Sequence, residues 1–177
     1  MSHVSIQYHK SAFGELIIGS YNNQICLCDW RYRKMRKSID QRIQKGLKAE
    51  YKEEHTADVL AAIKQIEAYT DGELKQFDLP LRFVGTVFQQ QVWHALMQIP
   101  FGTTETYLGL SQWLGNEKAI RAVASANGAN AISIIVPCHR IIGSDGSLVG
   151  YAGGLPAKKK LLELEGYQKQ AKQMTLF

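Results

Sequence analysis

The chain has 177 residues, 45% of them apolar, enough to bury the core of one compact unit or of two small ones. Residues 1–80 carry 12 basic and 11 acidic side chains and residues 81–177 carry 9 and 5, so most of the net charge of +5 lies in the second half, a field that suits a phosphate backbone as well as ordinary solubility. Residues Met1 to Lys10 are polar, no apolar run reaches the length of a membrane span and three cysteines form no disulfide framework, which argues against export or membrane insertion and sets a reducing, cytoplasmic compartment as the expectation.

Leu16 to Gly19 and Gln24 to Trp30 read as two strands of a hairpin, with Tyr21-Asn22-Asn23 supplying the turn. Cys26 and Cys28 alternate with Leu27 and should face one side as small strand residues; their spacing is too short for a structural zinc pair, and no metal is expected. Five of the seven residues from Arg31 to Lys37 are basic and read as a solvated face. His55 to Thr70 places Val59, Ile63, Ile66 and Tyr69 at helical spacing, with Asp71-Gly72 as a stop, so one amphipathic helix should pack on the hairpin sheet. Phe77 to Gly85 reads as a linker, dividing the chain into an α/β unit over residues 1–80 with a small antiparallel sheet and a mainly helical unit over residues 86–170. The fold class is therefore α+β in two domains.

In the second unit, Thr86 and Gln89 stand in capping-box spacing ahead of a helix that buries Phe88, Val92, Leu96 and Ile99 and ends at Pro100. A short helix from about Thr104 to Leu114 stops at Gly115, and Asn116 caps a third from Glu117 to about Asn127; two helices across a tight turn make a helix-turn-helix candidate. Ala119, Ala122 and Ala126 form a small-residue stripe on the last of these, leaving Ile120, Val123 and Ala124 to face the protein. A helix is about 10–12 Å across and the B-DNA minor groove only about 6 Å wide, so a helix entering that groove needs such a low face. Close packing against another helix would use the same stripe.

The segment Ile134-Ile135-Val136-Pro137-Cys138-His139-Arg140 is the most specific in the chain. Three apolar residues read as a buried strand that Pro137 stops, presenting Cys138 where strand opens into loop. Groups that are positive or accept protons favour the thiolate, the attacking form of a cysteine. In a regular strand, however, Cys138 and His139 would point to opposite faces, so a bent backbone or an intervening water is needed to couple them.

Pro-Cys-His-Arg after an apolar strand resembles the active-site signature of the O6-alkylguanine-DNA alkyltransferases, the methylated-DNA–protein-cysteine methyltransferases. The resemblance extends in register over residues 86–166, through Phe101-Gly102, Thr106-Tyr107, the run from Gly115 to Val123, Asn130, the run from Gly150 to Leu155, and Leu162 to Gly166. It implies a ribonuclease H-like N-terminal domain and a helix-turn-helix domain with a short active-site strand. It also implies a protein that binds double-stranded DNA in the minor groove, extrudes O6-alkylguanine and accepts the alkyl group on Cys138 without a cofactor.

Extrusion has a physical reason, since the alkylated oxygen is paired inside the duplex and a sulfur on a rigid backbone cannot align behind it in the stack. By the same resemblance His139 draws the thiol proton, Glu165 orients the imidazole and the Tyr107 hydroxyl bonds the leaving purine. Arg121 fills the space of the extruded nucleotide, with Thr106, Ala119, Ala122 and Ala126 against the DNA. Pro137, Ile141, Tyr151, Ala152 and Gly153 wall the pocket with Tyr107, and Asn130 braces the cysteine loop. Ala152 replaces the serine of some relatives and Gly128 an arginine, which removes a hydroxyl contact and a phosphate contact.

An S-alkyl cysteine has no electrophilic carbonyl for water to attack, so the protein should act once. A cysteine hydrolase would leave the helix-turn-helix without a use, and a lesion-binding module would have none for Cys138.

Overall fold

The computed structural model describes residues 2–167, so the last three residues of the expected 86–170 unit lie outside the described residues. The chain opens with three antiparallel strands, β1 (His3–Ser11), β2 (Gly14–Tyr21) and β3 (Gln24–Trp30). Asn22 and Asn23, at φ 48° and 62°, close the β2–β3 hairpin, and two consecutive positive φ angles mark the turn whose twist matches its strands. A helix, α1 (Arg36–Leu47), then crosses the sheet and delivers β4 (Glu50–Glu53) parallel to β1, giving the order β3-β2-β1-β4. The sheet is thus mixed, where the hairpin alone implied an antiparallel one, because a helical crossover returns the chain in the parallel sense.

The two faces of the sheet are covered differently. Ile39, Ile43 and Leu47, four residues apart on α1, pack with Val4, Ile17 and Leu27 on one face. A second helix, α2 (Ala57–Thr70), begins at Thr56, whose hydroxyl accepts from the Val59 amide at 3.4 Å. It buries Val59, Ile63 and Ile66 against Leu16, Ile18 and Cys28 on the other face. Cys26 and Cys28 do not share a face: a β-bulge at Gly19/Ser20 shifts the register and turns Cys26 toward the α1 side.

The remainder is mainly helical. Thr86 and Gln89 form a reciprocal capping box, at 3.1 Å and 3.0 Å, that opens α3 (Val87–Leu96). After β5 (Glu105–Thr106) come α4 (Tyr107–Trp113), a turn at Gly115 (φ 76°), a 3₁₀ turn (Glu117–Ala119) and α5 (Ile120–Gly128). The chain then folds through a second 3₁₀ turn (Cys138–Arg140) into β6 (Ile141–Ile142), which pairs with β5, and ends in α6 (Leu155–Leu164). One core joins both halves: Leu16, Val59 and Tyr69 belong to the same buried cluster as Val92, Val123, Cys138 and Leu161. Among the described residues no helix is long and apolar enough to cross a membrane.

Two expectations for α5 change. Ala126 is buried at 2% exposure and Ile120 is 38% exposed, the reverse of the faces assigned from the sequence. The inward line of α5 runs through Val123, Ala126 and Asn127, where it meets α3: the Trp93 indole donates to the Ala126 carbonyl at 2.8 Å. The face left open carries Arg121, Ala122, Ser125 and Gly128, with Ala119 half-buried against the core.

Candidate active site

Cys138 is reached by a turn, not by a strand. Residues 133–135 form a turn in which Ile134 adopts φ 72°, a strained value for a β-branched residue. The Asn130 side chain imposes it: its amide nitrogen donates to the Val136 and Ile132 carbonyls at 3.0 and 3.4 Å, and its oxygen accepts from the Ile132 amide at 2.9 Å. Cys28 on β3 adds two backbone bonds, to Ala131 at 2.9 Å and from Ser133 at 2.6 Å. The apolar run is buried as expected, but these bonds fold it back on itself.

Pro137 then starts the 3₁₀ turn, which separates successive side chains by about a third of a circle. This bend, which a strand could not provide, lets consecutive residues serve one site. Cys138 lines a cavity of about 770 Å³ that also receives Tyr107, Asn127, Trp30, Tyr151 and Gly153. Ala152 lies on the same wall. Pro137 does not: it lines a separate cavity of about 380 Å³ beside Phe101 and Arg140. Ile141 is fully buried and pairs with Glu105, so the same turn that exposes Cys138 to the cavity carries both expected wall residues away from it.

His139 and Arg140 converge on Glu165, the residue that ends α6, before Gly166 at φ 88°. Glu165 Oε1 lies 2.9 Å from His139 Nε2, accepts from Arg140 Nη2 at 2.9 Å and from the Tyr69 hydroxyl at 2.6 Å. Its Oε2 accepts from Arg140 Nε at 2.9 Å and from the Gly102 amide at 3.4 Å. Burial pushes this carboxyl up, yet the bonds from His139 and Arg140 outweigh it and hold the group at about 2.

Burial depresses the pKa of His139 against the opposing pull of Glu165, so the ring is neutral. Because an ionised carboxylate only accepts, the network assigns the ring proton to Nε2. Nδ1 is then an acceptor, and it is buried with no partner among the described residues.

Burial also raises the Cys138 pKa, opposed by a hydrogen bond from Asn130 and more weakly by Lys158 and Arg33. The thiol at rest is therefore protonated, and the expected activation by neighbours has to arrive through proton transfer. Tyr107, the first residue of α4, has its hydroxyl pKa raised by burial and by Cys138. Thr106 caps that helix, its hydroxyl oxygen accepting from the Gly109 amide at 2.9 Å. Arg121 projects from the open face of α5.

Several participants were not singled out from the sequence. Tyr69 was placed on a buried stripe, and its hydroxyl bond to Glu165 needed the packing of α2 on the helical half. Lys158 is fully buried, with its ammonium donating to the Ile141, Val149 and Gly150 carbonyls, and burial lowers it to about 8. A signal for it existed, since Lys158, Leu161, Leu162 and Glu165 fall on one helical face. The basic segment 31–37 is only partly solvated. Arg33 and Arg36 turn inward to the fully buried Asp29, and Arg33 also donates to the Gly128 carbonyl at 2.6 Å and the Asn130 carbonyl at 3.2 Å. Arg42 donates to the Ala129 carbonyl at 2.8 Å, so cations from the N-terminal half satisfy the carbonyl end of α5. Among the described residues no three potential ligands cluster as a metal site.

A buried cysteine at a cavity and a neutral histidine held by a buried carboxylate make up a cysteine nucleophile with its base, beside two short helices joined by a tight turn, the parts of a cysteine-dependent transferase. Residues 87–167 match the model of the 6-O-methylguanine DNA methyltransferase DNA-binding domain. A methylated-DNA–protein-cysteine methyltransferase of Methanosarcina acetivorans is 56% identical over 105 residues, 59% of this chain and 67% of that protein. One of Mycobacterium bovis is 51% identical over 116 residues, 66% of this chain and 70% of that protein. The structure of Mycobacterium tuberculosis OGT in complex with DNA is similar with a TM-score of 0.81 at 36% identity, covering 92% of this chain and 93% of that one. The chain belongs to the methylated-DNA–protein-cysteine methyltransferase family, enzymes of DNA repair by alkyl transfer.

Proposed function

We propose that this protein extrudes O6-alkylguanine, chiefly O6-methylguanine, from duplex DNA and transfers the alkyl group irreversibly to Cys138, one group per molecule. The observation that carries the reading is Cys138 on a cavity beside a histidine whose Nε2 is pinned to Glu165, so that only Nδ1 is left to accept a proton. The thiol gives its proton to Nδ1 of His139, directly or through a water, and the imidazolium is stabilised by the Glu165 carboxylate. Sulfur attacks the alkyl carbon in line as the C–O6 bond breaks, and the electron pair returns to the purine; the guaninate so formed is stabilised by a hydrogen bond from the Tyr107 hydroxyl and takes up the proton that the thiol gave to His139. Every electron and proton comes from these groups, so no cofactor is required. The thioether product gives water no carbonyl to attack.

In this reading residues 1–80 support the site and residues 86–170 bind DNA and carry the chemistry. The open face of α5, with Arg121, Ala122 and Ser125, enters the minor groove, and Arg121 occupies the space of the extruded nucleotide. Its small side chains suit a groove that must be widened little, and the absence of base-reading side chains suits a search over any sequence.

The test is intact and peptide mass spectrometry after incubation with a duplex carrying O6-methylguanine, with no additive. One added methylene on the Cys138 peptide, saturating at one per chain, is the expected result, and Cys138→Ser should take none while still binding the duplex. Turnover beyond one equivalent, or transfer by that variant, overturns the reading.

A further inference from the structure

Trp30, the last residue of β3, belongs to the N-terminal sheet yet lines the same cavity as Cys138. Its ring is nearly fully buried between two glycines of different segments. A methyl group built on Gly153 would lie 2.4 Å from the indole and one on Gly14 would lie 3.1 Å from it, so a side chain at Gly153 and Trp30 cannot occupy the site together. The ring also meets Tyr151 edge-on, with centroids 5.8 Å apart. The indole N–H and the Tyr151 hydroxyl are both buried without a hydrogen-bond partner among the described residues. The loop from Tyr151 to Gly154 therefore leans on a residue of the other half of the molecule, across the cavity from α5.

We propose that Trp30 is the specificity-determining wall of this pocket: seated on Gly153 and against Tyr151, it fixes the height of the 151–154 loop over Cys138 and so limits the size of alkyl group that can reach the sulfur. This rests on the alkyl-transfer reading. An aromatic ring in this place excludes a second ring such as the benzyl group of O6-benzylguanine while leaving room for methyl. The N-terminal half thereby shapes substrate choice without touching the reacting atoms, and Trp30 acts through the loop as a positioning residue.

The experiment compares single-turnover transfer from duplexes carrying O6-methylguanine or O6-benzylguanine for the wild type, Trp30→Leu, Trp30→Phe and Gly153→Ala, with melting temperature measured for each. Trp30→Leu should raise the benzyl-to-methyl rate ratio at least ~10-fold, the scale on which pocket size discriminates substrates, and Trp30→Phe should return the ratio toward that of the wild type. Gly153→Ala, which keeps the indole and crowds it, should lower the ratio, and combining it with Trp30→Leu should relieve that loss. An unchanged ratio in Trp30→Leu overturns the proposal. If that variant does not fold, an unchanged ratio in Gly153→Ala does so. A wild type that transfers neither group overturns the alkyl-transfer reading instead.

Discussion

Nε2 of His139 stands 2.9 Å from Oε1 of Glu165, a contact sealed from solvent on both sides. It decides the tautomer of the imidazole and hence which nitrogen is available to the thiol. Arg140 occupies the same carboxylate through both Nε and Nη2, so Glu165 serves as a counter-ion as well as an orienting group.

Replacing that carboxylate by its amide should therefore damage two things at once. Glu165→Gln leaves the Arg140 guanidinium without a counter-charge in the interior, a loss of about 3–5 kcal/mol of stability. It also allows the amide to donate to Nε2, which would place the ring proton on Nδ1 and block proton acceptance from Cys138. Urea unfolding should register the first effect, and the transfer rate of the protein still folded should fall by more than ~10-fold.

Acid should act through the same pair. Glu165 sits at about 2 in the folded chain against an ordinary 4.5, so its contribution, roughly 3 kcal/mol, is fully present above 4.5 and lost as pH falls through about 2. His139 is depressed as well, so the fold prefers it neutral, and stability declines as pH drops below ~6.5 toward its folded value. On the alkaline side Lys158, lowered to about 8 from 10.5, makes stability rise between those two values. Unfolding midpoints across pH should follow this order, while the transfer rate should stay level through neutrality and fall where His139 becomes charged. A transfer rate that increases on acidification would exclude His139 as the base.

Asn130→Ala should loosen the cysteine and also remove the hydrogen bond that opposes the burial-raised pKa of its thiol. The side chain makes three backbone bonds around a turn that holds Ile134 at φ 72°, a conformation costing about 1–3 kcal/mol when unsupported. A destabilisation of about 2–4 kcal/mol is expected, from the lost bonds and the strain together. Hydrogen exchange should be fastest to increase at residues 131–138.

Arg121→Ala separates extrusion from chemistry. Transfer from a lesion in duplex DNA should drop at least ~10-fold, since the space left by the base is no longer filled. Alkylation of Cys138 by a free O6-alkylguanine nucleobase should be unchanged, because Arg121 is on the open face of α5 and outside the cavity wall. Equal losses with both substrates would argue that Arg121 acts on the reaction centre.

The order of elements was readable wherever local chemistry dominates. Thr86 and Gln89 signalled the start of α3, Asn22-Asn23 the hairpin turn, and Gly115-Asn116 the break between α4 and α5, each because a short-range bond or a permitted φ fixes the backbone there. The segment around Cys138 was found for a different reason: its residue types are unusual together, and their order resembled a known family. The strand β1 and the helix α1 were not anticipated, although Ile39, Ile43 and Leu47 carry α1's stripe at a spacing of four.

What the sequence by itself determined is a set of groups and their order: a cysteine and histidine in succession, a glutamate at the end of a later helix, and a short helix pair across a tight turn. Only tertiary structure decided how those groups meet. A strand was the local preference of Ile134 to Val136, and the short-range bonds of the Asn130 side chain together with the long-range backbone bonds to Cys28 overrode it with a turn. The partners of Glu165 come from α2, the loop at Gly102 and the 3₁₀ turn, separated by up to 96 residues, and no local pattern encodes such a convergence. The same holds for Trp30 on Gly153 and for Arg33 on the end of α5: contacts between distant segments depend on how elements pack, and packing is a property of the assembled core.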